Sequence, residues 1–275
     1  MSEIVLGIGV PHNPAAPKQV LEEGPTSATG ALYARVREQL EAVAPDVIVV
    51  FDSDHFVNFF FDNFPAFCIG VVDETWGPDE TRLEMPRYTV RVHEAFARRL
   101  LEYALASEFD VASKEEMVLD HSILVPLHFL TPRMHIPIVP VYIRGLARPL
   151  PLSRRCWALG QMVGRFVRQQ WPGPERVAVL GSGSFSLEVG GPRIGQTDHA
   201  WVRTLVDHLR HGRTQEIVRA ATTERMLAAG NVSGELLNWI AMLGALDGQG
   251  VGEKLRPAFV EPQEERGHAF GVWCA

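Results

Sequence analysis

Cysteine is scarce in this chain: three residues in 275, Cys68, Cys156 and Cys274, lie far apart and form no Cys-x-x-Cys pair. That spacing builds neither a disulfide framework nor a thiolate zinc site, and a reducing compartment fits it best. Long apolar runs are absent as well. No stretch of the sequence approaches the roughly 18 residues of a membrane-spanning helix, so no membrane partner is expected. The opening MSEIVLGIGVPHNP carries Glu3 where a secretory leader has a positive charge, and the expected location is the cytoplasm. Positive charge is in short supply throughout, with 26 Lys and Arg against 33 Asp and Glu and a net charge of -7. The Arg98-Arg99 and Arg154-Arg155 pairs are too short to track a phosphate backbone, which argues against nucleic acid as a partner.

What is present is an ordinary globular composition, 46% hydrophobic and 21% charged, long enough to bury a sizeable core. Short apolar runs predict buried strands at Ile4–Val10, Asp46–Asp52, Ala66–Val72, Ile136–Ile143 and Arg176–Gly181. Their hydrophobicity is continuous rather than alternating, as in strands covered on both faces. Helical periodicity falls between them, near Ala28–Val43, Tyr88–Ala106, Leu152–Gln170, Asp198–His211 and Gly234–Leu246. The expected class is therefore α/β: one domain over residues 1–275, a mostly parallel or mixed central sheet with helices on both faces. In such folds ligands sit beyond the carboxyl ends of the strands, so the polar residues just after each strand are the ones to inspect.

Two histidines occupy such positions, His12 in VPHNP after the first strand and His55 in FDSDHF after the second. Each alone is more often a hydrogen-bonded structural residue; two at successive strand tips point towards a shared site. Glu235, in NVSGELLNWIAM, is the sole carboxylate of an apolar stretch at the start of a predicted helix. It could serve the helix dipole there, with Asn231 or Ser233 as the cap. The apolar face that follows draws it inward, however, where an unpaired carboxylate is costly and a metal ion would remove the cost. Two imidazoles and a carboxylate leave three adjacent positions open on iron(II), and the same donors also hold catalytic zinc. Asp52 and Asp54 flank His55 as candidates to orient the imidazoles, and Phe56 and Phe59 as apolar walls. The GSGS segment at 181–184 invites a phosphate-loop reading, but it lacks both the Lys-Ser/Thr of a Walker loop and the spacing of a dinucleotide fingerprint.

Five strings in order, GVPHNP, VVFDSDHF, LDHSILVPL, LGSGSFSLEVGGPR and GELLNW, make the sequence similar to the class III extradiol ring-cleaving dioxygenases. The resemblance implies that His12, His55 and Glu235 bind Fe(2+) and that His121, in LDHSILVPL, is an active-site acid/base. Its substrate would be a small catechol-type aromatic, an aminophenol or a hydroxylated heterocycle, cleaved with dioxygen. A homo-oligomer is expected, with room for a small partner subunit. One departure stands out. The family's loop ends in a proton-handling histidine where this sequence has Leu187, the last of Phe185-Ser186-Leu187, the three residues expected to bind substrate. Leucine cannot transfer a proton, which leaves His121 with more of that burden. A zinc hydrolase on the same donors and a metal-binding relative without activity are the rival expectations. The other seven histidines, at 93, 128, 135, 199, 208, 211 and 268, are expected to be structural or exposed.

Overall fold

The computed structural model describes residues 2–80, 83–247 and 255–275. In chain order its elements are β1 (Glu3–Val10), α1 (Ala16–Glu23), α2 (Ala28–Val43), β2 (Val47–Asp52), β3 (Phe67–Gly70), β4 (Glu74–Gly77), β5 (Tyr88–Arg91), α3 (Glu94–Ala106), β6 (Ala112–Lys114) and α4 (His121–Leu130). They continue with β7 (Ile138–Ile143), α5 (Ser153–Arg165), β8 (Arg176–Ser182), α6 (His199–Arg210), α7 (Thr214–Ala220), α8 (Thr223–Ala229), α9 (Leu236–Leu246), β9 (Arg256–Gln263) and β10 (His268–Cys274).

The charge-poor runs become the inner strands of one eight-stranded sheet, ordered β6-β3-β7-β2-β8-β1-β10-β9. Every residue of β2 and β7 is buried, as expected of strands with no solvent face. Strands β1, β8, β2 and β7 are parallel neighbours, so their carboxyl ends share one edge of the sheet. The flanks turn antiparallel, β3 against β7 on one side and β10 against β1 on the other, which makes the sheet mixed.

Alternation along each strand divides the core into two layers. Val47, Val49 and Phe51 of β2 face one cluster with residues of α3, α5, α6 and α9, while Ile48 and Val50 face the other with α2 and α4. Helices thus cover both faces. Helix α9 is buried along its whole length and crosses α5 at a point with no room for a side chain: a Cβ on Gly160 would lie 1.9 Å from the Ala241 carbonyl oxygen. Among the described residues no helix is long and apolar enough to cross a membrane.

Two segments differ from the sequence-based expectation. The helix predicted from Tyr88 begins at Glu94, because Tyr88–Arg91 pairs with β4 as a strand; the β-branched and aromatic Tyr-Thr-Val suits a hairpin once a partner strand is present. His93 then caps the shortened helix, its side chain accepting from Phe96 N–H at 3.3 Å. The helix predicted over Leu152–Gln170 ends at Arg165, and Phe166–Gln170 continues as a π-helical turn. The C-terminal hairpin of β9 and β10 adds two strands beyond those predicted.

Candidate metal centre

The parallel strand tips bring together residues that are distant in the chain. His12 follows β1 and is buried; its Nδ1 lies 2.8 Å from Ser182 Oγ at the end of β8. Ser182 in turn donates its hydroxyl proton to the Ser122 carbonyl at 3.0 Å. That proton is therefore spent, Ser182 Oγ must accept from His12 Nδ1–H, and in the neutral ring His12 Nε2 presents a lone pair. Burial lowers the His12 pKa, against the pull of Glu235, and so favours that neutral ring.

Glu235 ends a 3-10 turn, Ser233–Glu235, directly before α9 and is buried. One oxygen, Oε2, accepts from Ser184 N–H at 2.7 Å. The glycine loop therefore holds an anion, but the anion is this chain's own carboxylate. Gly183 has φ 144 and stands where a Cβ would be 2.5 Å from Glu235 Cβ, so only glycine fits without displacement. The other oxygen, Oε1, lies 3.1 Å from His12 Nε2 and 3.3 Å from His55 Nε2. Burial opposes ionisation of Glu235, but the imidazoles of His12 and His55, when they carry a proton towards it, outweigh burial and hold the carboxyl below the usual carboxylate range. A buried carboxylate oxygen thus lies between two imidazole nitrogens, and when both rings are neutral a cation held by the three would satisfy its charge. The donor set fits a metal ion on these grounds.

His55 is held from the opposite side. Its backbone N–H donates to Asp120 Oδ2 at 2.7 Å, and its Nδ1 lies 3.4 Å from the same oxygen, within ion-pair range but outside hydrogen-bond geometry. Burial works against a charge on His55, yet Asp120 and Glu235 prevail and place its pKa well above the ordinary value. Asp120 caps α4 by accepting from Ser122 N–H at 3.0 Å. Beneath it the Ser122 hydroxyl meets both Asp120 and Asp52. One hydroxyl proton cannot serve two carboxylates, so Asp52 must carry a proton of its own. Burial and the Asp120 charge push the Asp52 pKa well up, in agreement. Asp54 does other work, accepting from the backbone N–H groups of Asn58 and Phe59 to fix the turn after His55.

His121 opens α4 and completes the cluster. Its ring lies 4.3 Å from that of His55 and 5.6 Å from that of His12, centroid to centroid. One nitrogen from each of the three rings falls within 4.8 Å of the others, so a three-imidazole set can also hold a metal. Glu80, from the loop after β4, touches His121 twice, accepting from its backbone N–H at 2.8 Å and meeting its Nδ1.

The structure therefore gathers His12, His55, His121 and Glu235 at one point. It does not bring the expected substrate residues there together. Phe185 has no exposed surface and packs edge-on to Trp239 at 4.7 Å, and the Ser186 hydroxyl is occupied, donating to Ala229 O and accepting from Asp198 N–H, both at 2.6 Å. These two belong to the core; alternation past the strand end could not reveal it, because their backbone N–H groups bond to Gly267 O, from the far end of the chain. Leu187 alone of the three is partly exposed. Phe59 is buried against Phe64 and Tyr142, whereas Phe56 is partly exposed beside Phe61. Sequence reasoning also missed Glu80, Ser182 and Asp120 as partners of the imidazoles. Asp120 carried a signal, since an Asp before a helical run reads as a cap. Glu80, in an irregular loop far from His121 in sequence, carried none.

Comparisons with known proteins identify the family. A family model described as the catalytic LigB subunit of aromatic ring-opening dioxygenase matches residues 6–263. A 2,3-dihydroxyphenylpropionate/2,3-dihydroxicinnamic acid 1,2-dioxygenase of Photorhabdus laumondii is 34% identical over 166 residues, covering 60% of this chain and 50% of that protein. One from Cupriavidus necator is 33% identical over 202 residues, covering 72% and 60% respectively. The matched region thus spans about half to three-fifths of these relatives. An Escherichia coli enzyme of the same description is 26% identical over 278 residues and is covered to 85%, as is this chain. A crystal structure of an uncharacterized Escherichia coli K12 protein superposes with a TM-score of 0.62 at 17% identity over 98% of both chains, a likeness of fold.

Proposed function

The chain belongs to the family of the catalytic LigB subunit of aromatic ring-opening dioxygenases, and from that premise we propose that it cleaves a catechol-type ring with dioxygen, using Fe(II) held by His12, His55 and Glu235. The observation that carries the reading is Glu235 Oε1, buried between the Nε2 atoms of His12 and His55 at 3.1 and 3.3 Å. Bound there, the metal would supply neighbouring positions for a chelating diol and dioxygen and a path for electrons between them. The chain's own residues do the rest. Ser182 fixes the His12 tautomer, the Ser184 N–H holds Glu235 in place, and Asp120 anchors the His55 backbone. His121, beside both imidazole ligands, is the group placed to exchange a proton with a substrate hydroxyl. Leu187 contributes apolar surface and no proton. The relatives' substrates, catechols bearing a short acid side chain, set the first compounds to try.

One observation supports a second reading. Three imidazole nitrogens within 4.8 Å also match the donor set of hydrolytic zinc sites. Metal analysis and oxygen uptake separate the two. Anaerobically prepared protein reconstituted with Fe(II) should consume oxygen with a panel of catechols and catechol acids, yielding a coloured ring-opened product, and should do neither under argon nor with zinc. Glu235→Ala should lose the metal while keeping the fold. Retention of full metal by Glu235→Ala together with its loss in His121→Ala would overturn the ligand assignment, and turnover independent of oxygen would favour the hydrolase.

A further inference from the structure

We propose that Glu80 is the positioning residue for His121, fixing its ring so that Nδ1–H donates to the Glu80 carboxylate and Nε2 faces His12 and His55. The contact is two-pronged: Glu80 Oε2 accepts from the His121 backbone N–H at 2.8 Å, and Oε1 meets Nδ1 of the same residue. A carboxylate in such a fork can only accept, so the proton at that contact lies on Nδ1, and Nε2 is the nitrogen left for chemistry. A residue that merely completed the start of α4 would need only the backbone contact, and Asp120 already caps that helix.

The fold delivers Glu80 from outside the main sheet. The β4–β5 hairpin docks on the segment before α4: Thr75 Oγ1 donates to Met117 O at 2.7 Å, and Leu119 N–H donates to Trp76 O at 2.9 Å. At Gly77 a Cβ would lie 2.0 Å from the Leu119 carbonyl oxygen, so the approach needs glycine. Glu84, before β5, pairs with Lys18 of α1 at 2.9 Å. Glu80 thus reaches His121 from the segment that follows β4.

The amide of Glu80→Gln separates the two roles. It keeps an oxygen for the backbone N–H, but it cannot offer a second acceptor to Nδ1–H. In metal-free protein labelled with 15N-histidine, wild type should show His121 as the Nδ1–H tautomer, and both Glu80→Gln and Glu80→Ala should shift it to Nε2–H. The kinetic arm rests on the ring-opening reading. There Glu80→Gln should lower kcat by about tenfold to a hundredfold, with KM and iron content little changed, and should add nothing in a His121→Phe background. A wild-type His121 already protonated at Nε2, or a tautomer unmoved by Glu80→Gln, would overturn the proposal and leave Glu80 a helix-start residue. If wild type opens no ring, the ring-opening reading fails, while the tautomer measurement still decides the role of Glu80.

Discussion

His12 shows how much of the site rests on single protons. Its Nε2 presents a lone pair because Ser182, having spent its own proton on the Ser122 carbonyl, can only accept from Nδ1–H. Ser182→Ala removes that instruction and frees the ring to take either tautomer. Metal affinity should fall by about tenfold to a hundredfold, read by competitive chelator titration, with the fold unchanged by circular dichroism. In the proposed reaction proton handling falls to His121, since Leu187 offers no titratable group. His121→Phe should lower kcat by about a hundred- to ten-thousandfold while the protein keeps its metal. Near-normal turnover in that variant would assign the proton to water or to the substrate itself. The Asp52, Ser122 and Asp120 chain belongs to the same scale: one carboxyl stays protonated so that a single hydroxyl can satisfy both, and the charge beside His55 is then carried by Asp120.

At the scale of the element, α9 links core packing to the ligand set. Glu235 directly precedes it, so its position depends on how closely α9 lies on α5. Gly160→Ala places a methyl group 1.9 Å from the Ala241 carbonyl, so the helices must separate. The loss should be about 1–3 kcal/mol of stability, measured by urea denaturation, together with weaker metal binding because Glu235 moves with its helix. The C-terminal hairpin has its own signature. His268, on β10, is buried against Gln263 at 2.8 Å, and burial together with the Arg266 charge pushes its pKa down to about 3. The unfolded chain binds this proton near pH 6.5, roughly its ordinary value, whereas the folded chain does not until far lower pH. The residue is therefore without effect on stability above that value. It costs stability increasingly as pH falls between the two, by at most about 1.4 kcal/mol per pH unit. His268→Gln should flatten the difference in urea midpoint between roughly pH 6.5 and 4, and an unchanged slope there would mean that His268 protonates in the folded state.

At the scale of the whole molecule, the site is a clamp across the sheet: the loops after β1 and β2, the end of β8, the start of α4 and the turn before α9 each contribute a side chain that touches another's. A metal that binds only the folded chain stabilises all of it, by about 4 kcal/mol when free metal reaches a thousand times its dissociation constant. Thermal melts with and without Fe(II) under argon should show that rise in wild type and not in Glu235→Ala. The α/β class, the inner strands and the placing of His12 and His55 at strand tips were legible in the sequence, because continuous apolar runs and the polar residues that end them are local patterns. Glu235 was legible for a similar reason, as one charge at the head of an apolar helix. The hairpin at Tyr88–Arg91 was not, since its short strand gains its hydrogen bonds only from β4. Nor was the burial of Phe185 and Ser186, which depends on how the glycine loop turns against α9 and β10. The sequence by itself thus determined that His12 and His55 follow strand ends and that Glu235 heads an apolar helix. The tertiary structure alone decided that Nε2 of His12 and of His55 faces Glu235 and that Glu80 reaches His121, because orientation and reach depend on partners contributed by elements far apart in the chain.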